Sequence, residues 1–308
     1  MIVSLIIPAY NCEEDIVRLL NSVLTLQYNL CEIEIIIVDN ASIDKTAEVV
    51  EAFFLRYSQS FYRLKLFRNA ENSGAPKALN KALSLCSLES EYLWKLDADT
   101  ELTPQSLTFL LKTFKENPGT GAVVSNILDS RGRETPVYTM IYKSFRKWTK
   151  TTEGFHYSLL SDDMIDGLNG ASNLFPSAII KKVGGFDEKY FLYYDDTDIC
   201  YRIKLSGHTL RCAEKSLVFH YTKNSTGEAA LKGMYYSFRS QFYFFFKYHS
   251  TLNNSIFIIV QCIIAPWRIM KSCLYYNCLT PKGLIKGTRY WCKSFFDCIR
   301  LYRGVLNG

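Results

Sequence analysis

The chain has 308 residues, 48% hydrophobic and 21% charged, which supplies a substantial core and excludes disorder as the main state. Ten cysteines contain no C-x-x-C pair, which excludes a zinc ribbon or a redox pair and favours a reducing cytosol. The net charge of +6 is uneven: beyond Glu228 eleven Lys or Arg face Asp297 alone, so an acidic first part precedes a strongly basic tail.

The opening "MIVSLIIPAYN" is apolar, but it lacks a basic start and a small-residue cleavage site, and Pro8 interrupts it. A strand is expected there, not a secretory signal. Over residues 2–127 short apolar runs alternate with helical patterns: "IVSLIIP" then 13–26, "EIEIIIVD" then 45–58, "YRLKLFR" then 75–87, "YLWKLD" then 104–117, and finally "GAVVSNI". This alternation predicts a parallel sheet with helices on both faces. Such sheets take ligands at the carboxyl ends of their strands, here Pro8, Ala9, Tyr10 and Asn11, then Asp39 and Asn40, Arg68 and Asn69, and Asp97 and Asp99. Residues 128–221 are less regular. In them "DSRGRETPVYTM" is expected as a loop, "NGASNLFPSAIIKKVGG" as a strand and short helix, "DDTDICYRIKLSG" as a helix closed by Gly207, and "HTLRC" and "SLVFH" as two strands.

In "YLWKLDADTEL" the period of a strand turns Leu93, Lys95, Asp97 and Asp99 to one side. The two acidic Cα atoms then lie roughly 6 to 7 Å apart, and like charges so close repel unless a cation or hydroxyl ligand compensates. A hard divalent ion shared with phosphate oxygens fits that demand; the ordinary alternative is that Asp97 ends the strand and Asp99 begins a turn. In "VDNASIDKT", Ser42 or Asp44 suits a helix start. Asp39, closing a buried strand, needs a donor that a base or ribose would supply. In "NAENSGAPKALNKAL", Lys77 stands near a helix N-terminus, where phosphates are attracted, although capping alone also explains the glycine.

Six segments in this order, "SLIIPAYNCEEDIVRLLNSV", "IIIVDNASIDKT", "ENSGAPKALNKAL", "LDADTEL", "GGFDEKYFLYYDDTDICYRIKLSG" and "VFHYTKNST", resemble the inverting GT-A glycosyltransferases of family 2, particularly bacterial rhamnosyltransferase-like members. The resemblance covers residues 2–225, with a weaker echo in the tail. It implies an α/β GT-A fold with a single Rossmann-like nucleotide-sugar-binding sheet, comprising a catalytic domain 1–228 (nucleotide-sugar half 1–127, acceptor half 128–228) and a helical region 229–308. Carried over residue by residue, it implies that Pro8, Ala9, Tyr10 and Asp39 cradle the nucleoside of a nucleotide-diphospho-sugar, of UDP or dTDP type, and that Lys77 lies near its phosphates. Asp97-Ala98-Asp99 looks like the family's D-x-D, with Asp99 on the metal and Asp97 on ribose or metal. His220 matches the histidine that completes the metal site, where imidazole suits Mn²⁺ better than Mg²⁺. Asp196 takes the catalytic-base position, with Asp195 in place of the family's usual Glu. The implied acceptor is a glycan or lipid-linked hydroxyl in cell-surface polysaccharide synthesis.

Two rival readings stand beside this one. A processive synthase of the same family adds a Q-x-x-R-W motif and several spanning helices, neither of which the sequence contains; a non-catalytic sugar-nucleotide or lipid-binding protein would not need the acidic triplet, Asp196 and His220 together. In the tail, the uncharged run 250–267 is short for a span and is interrupted by Asn253, Asn254, Gln261 and Pro266. Its aromatic and basic composition predicts a helix lying on an anionic membrane, at the cytoplasmic face. Packing on the core and an oligomer interface are the alternatives, and no nucleic-acid motif accompanies the charge.

Overall fold

The computed structural model describes residues 1–135, 138–139, 165–168, 170–222, 227–248 and 281–306, with isolated helical positions between 259 and 273. The expected loop "DSRGRETPVYTM" lies partly outside the described residues. Two compact units are formed, one of Met1–Glu188 and Asp196–Thr222, the other of Lys189–Asp195 and Lys223–Gly308.

In the first unit the chain runs β1 (Ile2–Ala9), α1 (Glu13–Val23), β2 (Ile33–Asp39), α2 (Thr46–Tyr57), β3 (Arg63–Arg68), α3 (Ala75–Leu85), β4 (Ser90–Leu96), β5 (Thr100–Leu102), α4 (Ser106–Glu116) and β6 (Thr120–Leu128). A two-stranded ribbon of β7 (Tyr138–Thr139) and β8 (Gly167–Leu168) follows, then β9 (Ser172–Pro176), α5 (Ser177–Lys182), α6 (Asp195–Leu205) and β10 (Thr209–His220). Every residue of β2 is buried, as an Ile-rich strand covered on both faces requires. The acidic first turn of α1, Glu13, Glu14 and Asp15, suits the positive end of the helix dipole.

The main sheet has eight strands in the order β3-β2-β1-β4-β9-β6-β10-β5. Strands β1 to β4 pair in parallel as expected. Beyond β4 the all-parallel expectation fails: β9 inserts between β4 and β6, antiparallel to both, and β5 returns antiparallel to β10. Alternation of apolar runs reports that strands exist, but not which neighbour each one finds. The insertion is held by polar side chains inside the core: the Trp94 indole donates to Ser172 Oγ at 2.9 Å, and Ser172, Ser125 and Ser216 hydroxyls follow one another at 2.8 and 2.9 Å across β9, β6 and β10. The two strands expected from "HTLRC" and "SLVFH" are one, β10, with a register shift between Ala213 and Leu217.

The second unit contains α7 (Gly227–Tyr248) and α8 (Pro281–Leu306). Phe242 of α7 meets Trp291 and Phe295 of α8 edge-on, and the Tyr235 hydroxyl donates to Asp297 at 2.7 Å. The segment Lys189–Asp195 joins this unit: Arg239 and Ser240 donate to the carbonyls of Lys189 and Leu192, and the rings of Phe191 and Tyr236 stack. Among the described residues no helix is long and apolar enough to cross a membrane.

A buried ion pair fixes the sheet. Glu34 of β2 is fully buried and accepts from Arg63 of β3, from Ser4 of β1 and from the Ser87 amide; Arg63 also donates to Leu85 O at 2.6 Å. The partners are unequal, because the Arg63 side chain is 39% exposed and Glu34 is 0% exposed. Removing the arginine strands a carboxylate away from water, whereas removing the carboxylate leaves a cation that water reaches. Arg63→Met is therefore expected to lower unfolding stability by about 3 kcal/mol and Glu34→Gln by about 1 kcal/mol, compared by urea denaturation. Equal losses would show that burial does not set the difference.

Candidate active site

The order of strands reverses at β1, with β2 and β3 on one side and β4 on the other. Loops leaving the carboxyl ends of β1 and β4 therefore diverge and open a crevice. In the β1–β2 register Ala9 stands beside Asp39, and the β1–β4 ladder ends with Ile6 beside Lys95, two residues short of Asp97. The predicted Pro8, Ala9, Tyr10, Asp39 and Asp97 thus share one edge of the sheet; Ala9 and Asp39 are buried, Pro8 is half-buried and Tyr10 is 48% exposed.

On the β1–β2 side, loops clasp one another through short polar side chains. Asn11, at φ 48°, accepts from the Ile43 amide at 2.8 Å and donates from its own amide to Ser42 Oγ at 2.9 Å. Asp44 accepts from the Thr46 amide at 3.0 Å and the Glu13 amide at 3.2 Å, so it braces the first residue of α2, whose N-cap is Lys45 and not the expected Ser42 or Asp44, and ties α1 to α2. Burial raises its pKa, but the Thr46 hydroxyl, which donates to it at 2.6 Å, and the two amides outweigh burial and leave it lowered. The donor expected for Asp39 is in part internal, the Ser42 amide at 3.2 Å. Asn40, the next residue, holds the loop before α3: its Oδ1 accepts from Asn69 Nδ2 and the Ser73 amide, and its Nδ2 donates to Asn72 Oδ1 and Gly74 O, all within 2.9–3.2 Å. Gly74 ends this loop at φ 88°, a conformation glycine adopts without strain. Lys77 sits exposed at the start of α3, without a hydrogen-bonded partner among the described residues.

On the β4 side, the antiparallel pairing of β5 with β10 sets His220 opposite Thr100 and closes a separation of more than a hundred residues. His220 Nε2 lies 3.1 Å from Asp99 Oδ1 and 3.9 Å from Asp97 Oδ2. The end of β10 is pinned by the Tyr221 amide donating to Asp99 O, the Tyr221 hydroxyl donating to Glu101 and Arg18 lying over the Tyr221 ring. The sequence reading paired the two carboxylates with an external cation. The structure adds an internal one: the buried Lys95 ammonium donates to Asp97 Oδ1 at 2.6 Å and to Gly170 O at 3.3 Å.

These charges set the titration of the group. Burial raises the Asp97 pKa, but Lys95 and His220 outweigh it and hold the carboxyl below its usual range. Burial lowers that of His220, while its bond to Asp99 and the charges of Asp97 and Asp99 raise it overall. Asp97, Asp99 and His220 each offer one ligand atom within 4.8 Å of the other two. Two carboxylate oxygens and an imidazole nitrogen are a donor set that fits a divalent ion such as Mn²⁺ or Mg²⁺.

Asp196 lies on the first turn of α6. Its Oδ1 accepts from the Thr197 amide at 2.7 Å and its Oδ2 from the Gly170 amide at 3.3 Å. Burial raises its pKa and the charge of Asp97 adds to that, whereas Lys95 and the two amides oppose without reversing the shift. The chain enters α6 through Tyr193 and Tyr194 at φ 65° and 66°, a region costly for bulky side chains and often found at functional sites. Asp198 pairs with Arg202 at 2.8 Å, the expected four-residue spacing, but not on an outer face: Asp198 is fully buried, and Arg202 also donates to Val183 O and Gly185 O.

Three residues of this constellation are given no specific partner or task by the sequence, although Asn40 stands among the strand ends and Lys95 on the side of the two acids. Lys95 carried a signal, a lysine on the inward side of a buried strand just ahead of two acids. Asn40 carried a weaker one, an amide directly after a strand end. The Gly170 amide carried none, because it reaches Asp196 through a strand insertion that alternation does not show.

The model of glycosyl transferase family 2 matches residues 4–166, and that of glycosyl transferase family group 2 matches 93–277. The poly-beta-1,6-N-acetyl-D-glucosamine synthase of Staphylococcus epidermidis is 27% identical over 227 residues, 73% of this chain and 51% of that protein. The chondroitin synthase of Escherichia coli is 30% identical over 177 residues, 51% of this chain and 24% of that one. The chain thus spans about half the length, or less, of these relatives. Among solved structures, the mannosyltransferase PcManGT from Pyrobaculum calidifontis, in complex with GDP-Man and Mn²⁺, superposes with a TM-score of 0.58 at 17% identity, covering 99% of this chain and 79% of that one. S. aureus TarS 1-349 in complex with UDP-GlcNAc gives 0.55 at 18%, covering 99% and 92%. These likenesses show the GT-A fold. With strand-end motifs in the order that the fold demands, and a family model matched over more than half its length, the chain belongs to glycosyl transferase family 2.

Proposed function

We propose that the protein is a metal-dependent inverting glycosyltransferase, which moves a sugar from a nucleotide-diphospho-sugar to a hydroxyl of a glycan or lipid-linked acceptor in cell-surface polysaccharide assembly, at the cytoplasmic face of the membrane. One observation carries this reading: Asp97, Asp99 and His220 converge at the strand edge that also presents Ala9 and Asp39. Relatives named as a poly-beta-1,6-N-acetyl-D-glucosamine synthase and a chondroitin synthase, and neighbours solved with UDP-GlcNAc or with GDP-Man and Mn²⁺, support the donor class and the product class.

In this reading Pro8, Ala9, Tyr10 and Asp39 receive the nucleoside, and Asn40 keeps the loop before α3 in place around it. Lys77, exposed at the head of α3, reaches the diphosphate. Asp99 and His220, with Asp97, would hold a divalent ion, which when bound would neutralise charge on the diphosphate. Lys95 keeps Asp97 ionised and fixed in orientation by engaging one of its oxygens. Asp196 accepts the proton of the acceptor hydroxyl; the acceptor oxygen bonds to the anomeric carbon from the face opposite the leaving group, and the bond from that carbon to the diphosphate oxygen breaks, its electron pair leaving with the nucleoside diphosphate. One displacement inverts the anomeric centre. Two amide donors hold the Asp196 carboxylate, and its raised pKa makes it a stronger base than an exposed aspartate.

Release of nucleoside diphosphate from a donor panel is expected to require Mn²⁺ or Mg²⁺ and to stop in excess chelator. Full turnover in chelator would remove the metal role of Asp97, Asp99 and His220. Asp99→Asn is expected to abolish turnover with little change in thermal midpoint, whereas Asp44→Asn, which loosens a clasp between loops, shows mainly as a lower midpoint.

Asp196→Asn is expected to reduce transfer by about 10²–10⁴-fold, the usual contribution of a general base, while donor affinity by calorimetry and the unfolding midpoint stay near the parent values. Retained transfer would move the role to Asp195, and a large loss of stability would make the carboxylate structural.

A further inference from the structure

The described helical positions between 259 and 273 show two apolar faces. Positions 259, 263, 265–267, 269–270 and 273 are helical. Ala265, Ile269 and Cys273 are buried and pack with Leu284 and Trp291 of α8. The close approach is fixed by Gly287 of α8, where an added Cβ would lie 2.9 Å from Ile269 Cγ2 and 3.3 Å from Met234 Cε. That face is satisfied. Ile259, Ile263, Trp267 and Met270, helical positions spaced four, four and three apart, fall at helical period on a different face from Ala265, Ile269 and Cys273. They are 57%, 71%, 57% and 43% exposed.

This segment meets α8 on one side and exposes a second apolar stripe on another. The basic tail indicates what covers it. On α8, Ile285 and Phe296 are exposed on the turns that also expose Arg289, Lys293 and Arg300. Asp297, the sole acid beyond Glu228, accepts from Tyr235 and pairs with Arg300. A second copy would set one cationic surface against another. A nucleic acid would meet the charge but leave Ile259, Ile263 and Met270 unburied. A lipid surface with anionic headgroups answers both features, because acyl chains take the stripe and headgroups take the Lys and Arg.

We propose that the second unit docks on an anionic bilayer surface through the stripe Ile259, Ile263, Trp267 and Met270, with Arg289 and Arg300 of α8 contacting headgroups. This deepens the membrane placement proposed above by naming the face, and its test reads binding instead of transfer, so the two readings fail separately.

The full chain is sedimented with vesicles of equal parts phosphatidylglycerol and phosphatidylcholine, and with vesicles of phosphatidylcholine alone, at low and high salt. Binding is expected to be at least about tenfold tighter to the mixed vesicles and to weaken as salt rises. Ile263→Asp combined with Met270→Asp is expected to lower vesicle affinity by about tenfold or more, with donor turnover and thermal midpoint unchanged. Arg289→Ser with Arg300→Ser is expected to reduce the preference for the anionic lipid. As a readout independent of affinity, tryptophan quenching by brominated lipid is expected to fall in Trp267→Phe. Equal binding to both vesicle types, full binding by the double aspartate variant, or a dimer that this variant dissolves while vesicle binding persists would each overturn the proposal.

Discussion

The ammonium of Lys95 against the carboxylate of Asp97 is the contact on which the rest of the site depends. Asp97 and Asp196 lie close enough for the charge of Asp97 to raise the pKa of Asp196, and burial pushes both carboxyls up. A cation built into the strand opposes this. Lys95 holds Asp97 below the ordinary carboxylate range, and its charge also opposes the rise at Asp196 that burial and Asp97 produce. A single buried lysine thereby leaves two acids in different states of readiness: one ionised and oriented, the other more basic and still held by backbone amides. Because Lys95 also donates to Gly170 O while the Gly170 amide donates to Asp196, the acid cluster and the candidate base share one short backbone support.

That support exists because β9 enters the sheet in the wrong direction for a purely parallel fold. The insertion follows directly from the Ala171 carbonyl, which accepts from the Asp97 amide at 2.9 Å, so the backbone just ahead of β9 continues the pairing of β4 up to the acidic residues. The indole–serine chain from Trp94 through Ser172, Ser125 and Ser216 then ties β9 to strands on both sides by hydrogen bonds satisfied inside the core. Buried hydroxyls are costly when unpaired, and here each has a partner whose position is set by strand register. Packing and site geometry are one arrangement: a slip of β9 would misplace Gly170 and, with it, take Ser172 away from both Trp94 and Ser125.

The sequence made the first half of this legible. Strands β1 to β4 and their helices follow from period and turn chemistry, and the strand-end rule leads directly to Ala9, Asp39, Asp97 and Asp99. His220 was reachable by resemblance alone, since nothing local to "SLVFH" says that β10 pairs with the three residues after Asp99. Strand direction and neighbour beyond β4 were not legible, because Ser172 to Pro176 forms an equally good strand in either orientation. Asp198 shows a subtler limit. Its spacing to Arg202 gave the ion pair correctly, yet spacing alone does not say which side of a helix meets the interior, and the pair is buried.

The three acids at the head of α6 show how one helix start separates into different tasks. Asp198 is consumed by Arg202, whose remaining nitrogens take the carbonyls of Val183 and Gly185. Those carbonyls belong to the turn after α5, where Gly184 and Gly185 lie at φ 82° and 70°. Asn80 of α3 closes on the same turn, accepting from the Phe186 amide and donating to its carbonyl, and it approaches so near that a Cβ on Gly185 would lie 2.7 Å from its Oδ1. The glycine pair is therefore required by the meeting of α3, α5 and α6, and the Asp198–Arg202 bridge holds that meeting together from inside. With Asp198 committed to structure, Asp196 rests on a helix anchored by a buried ion pair, and its side chain bonds only to the amides of Gly170 and Thr197 and the Thr197 hydroxyl among the described hydrogen bonds. A carboxylate that holds up nothing else, on a start that cannot shift, is free to exchange a proton without disturbing the fold.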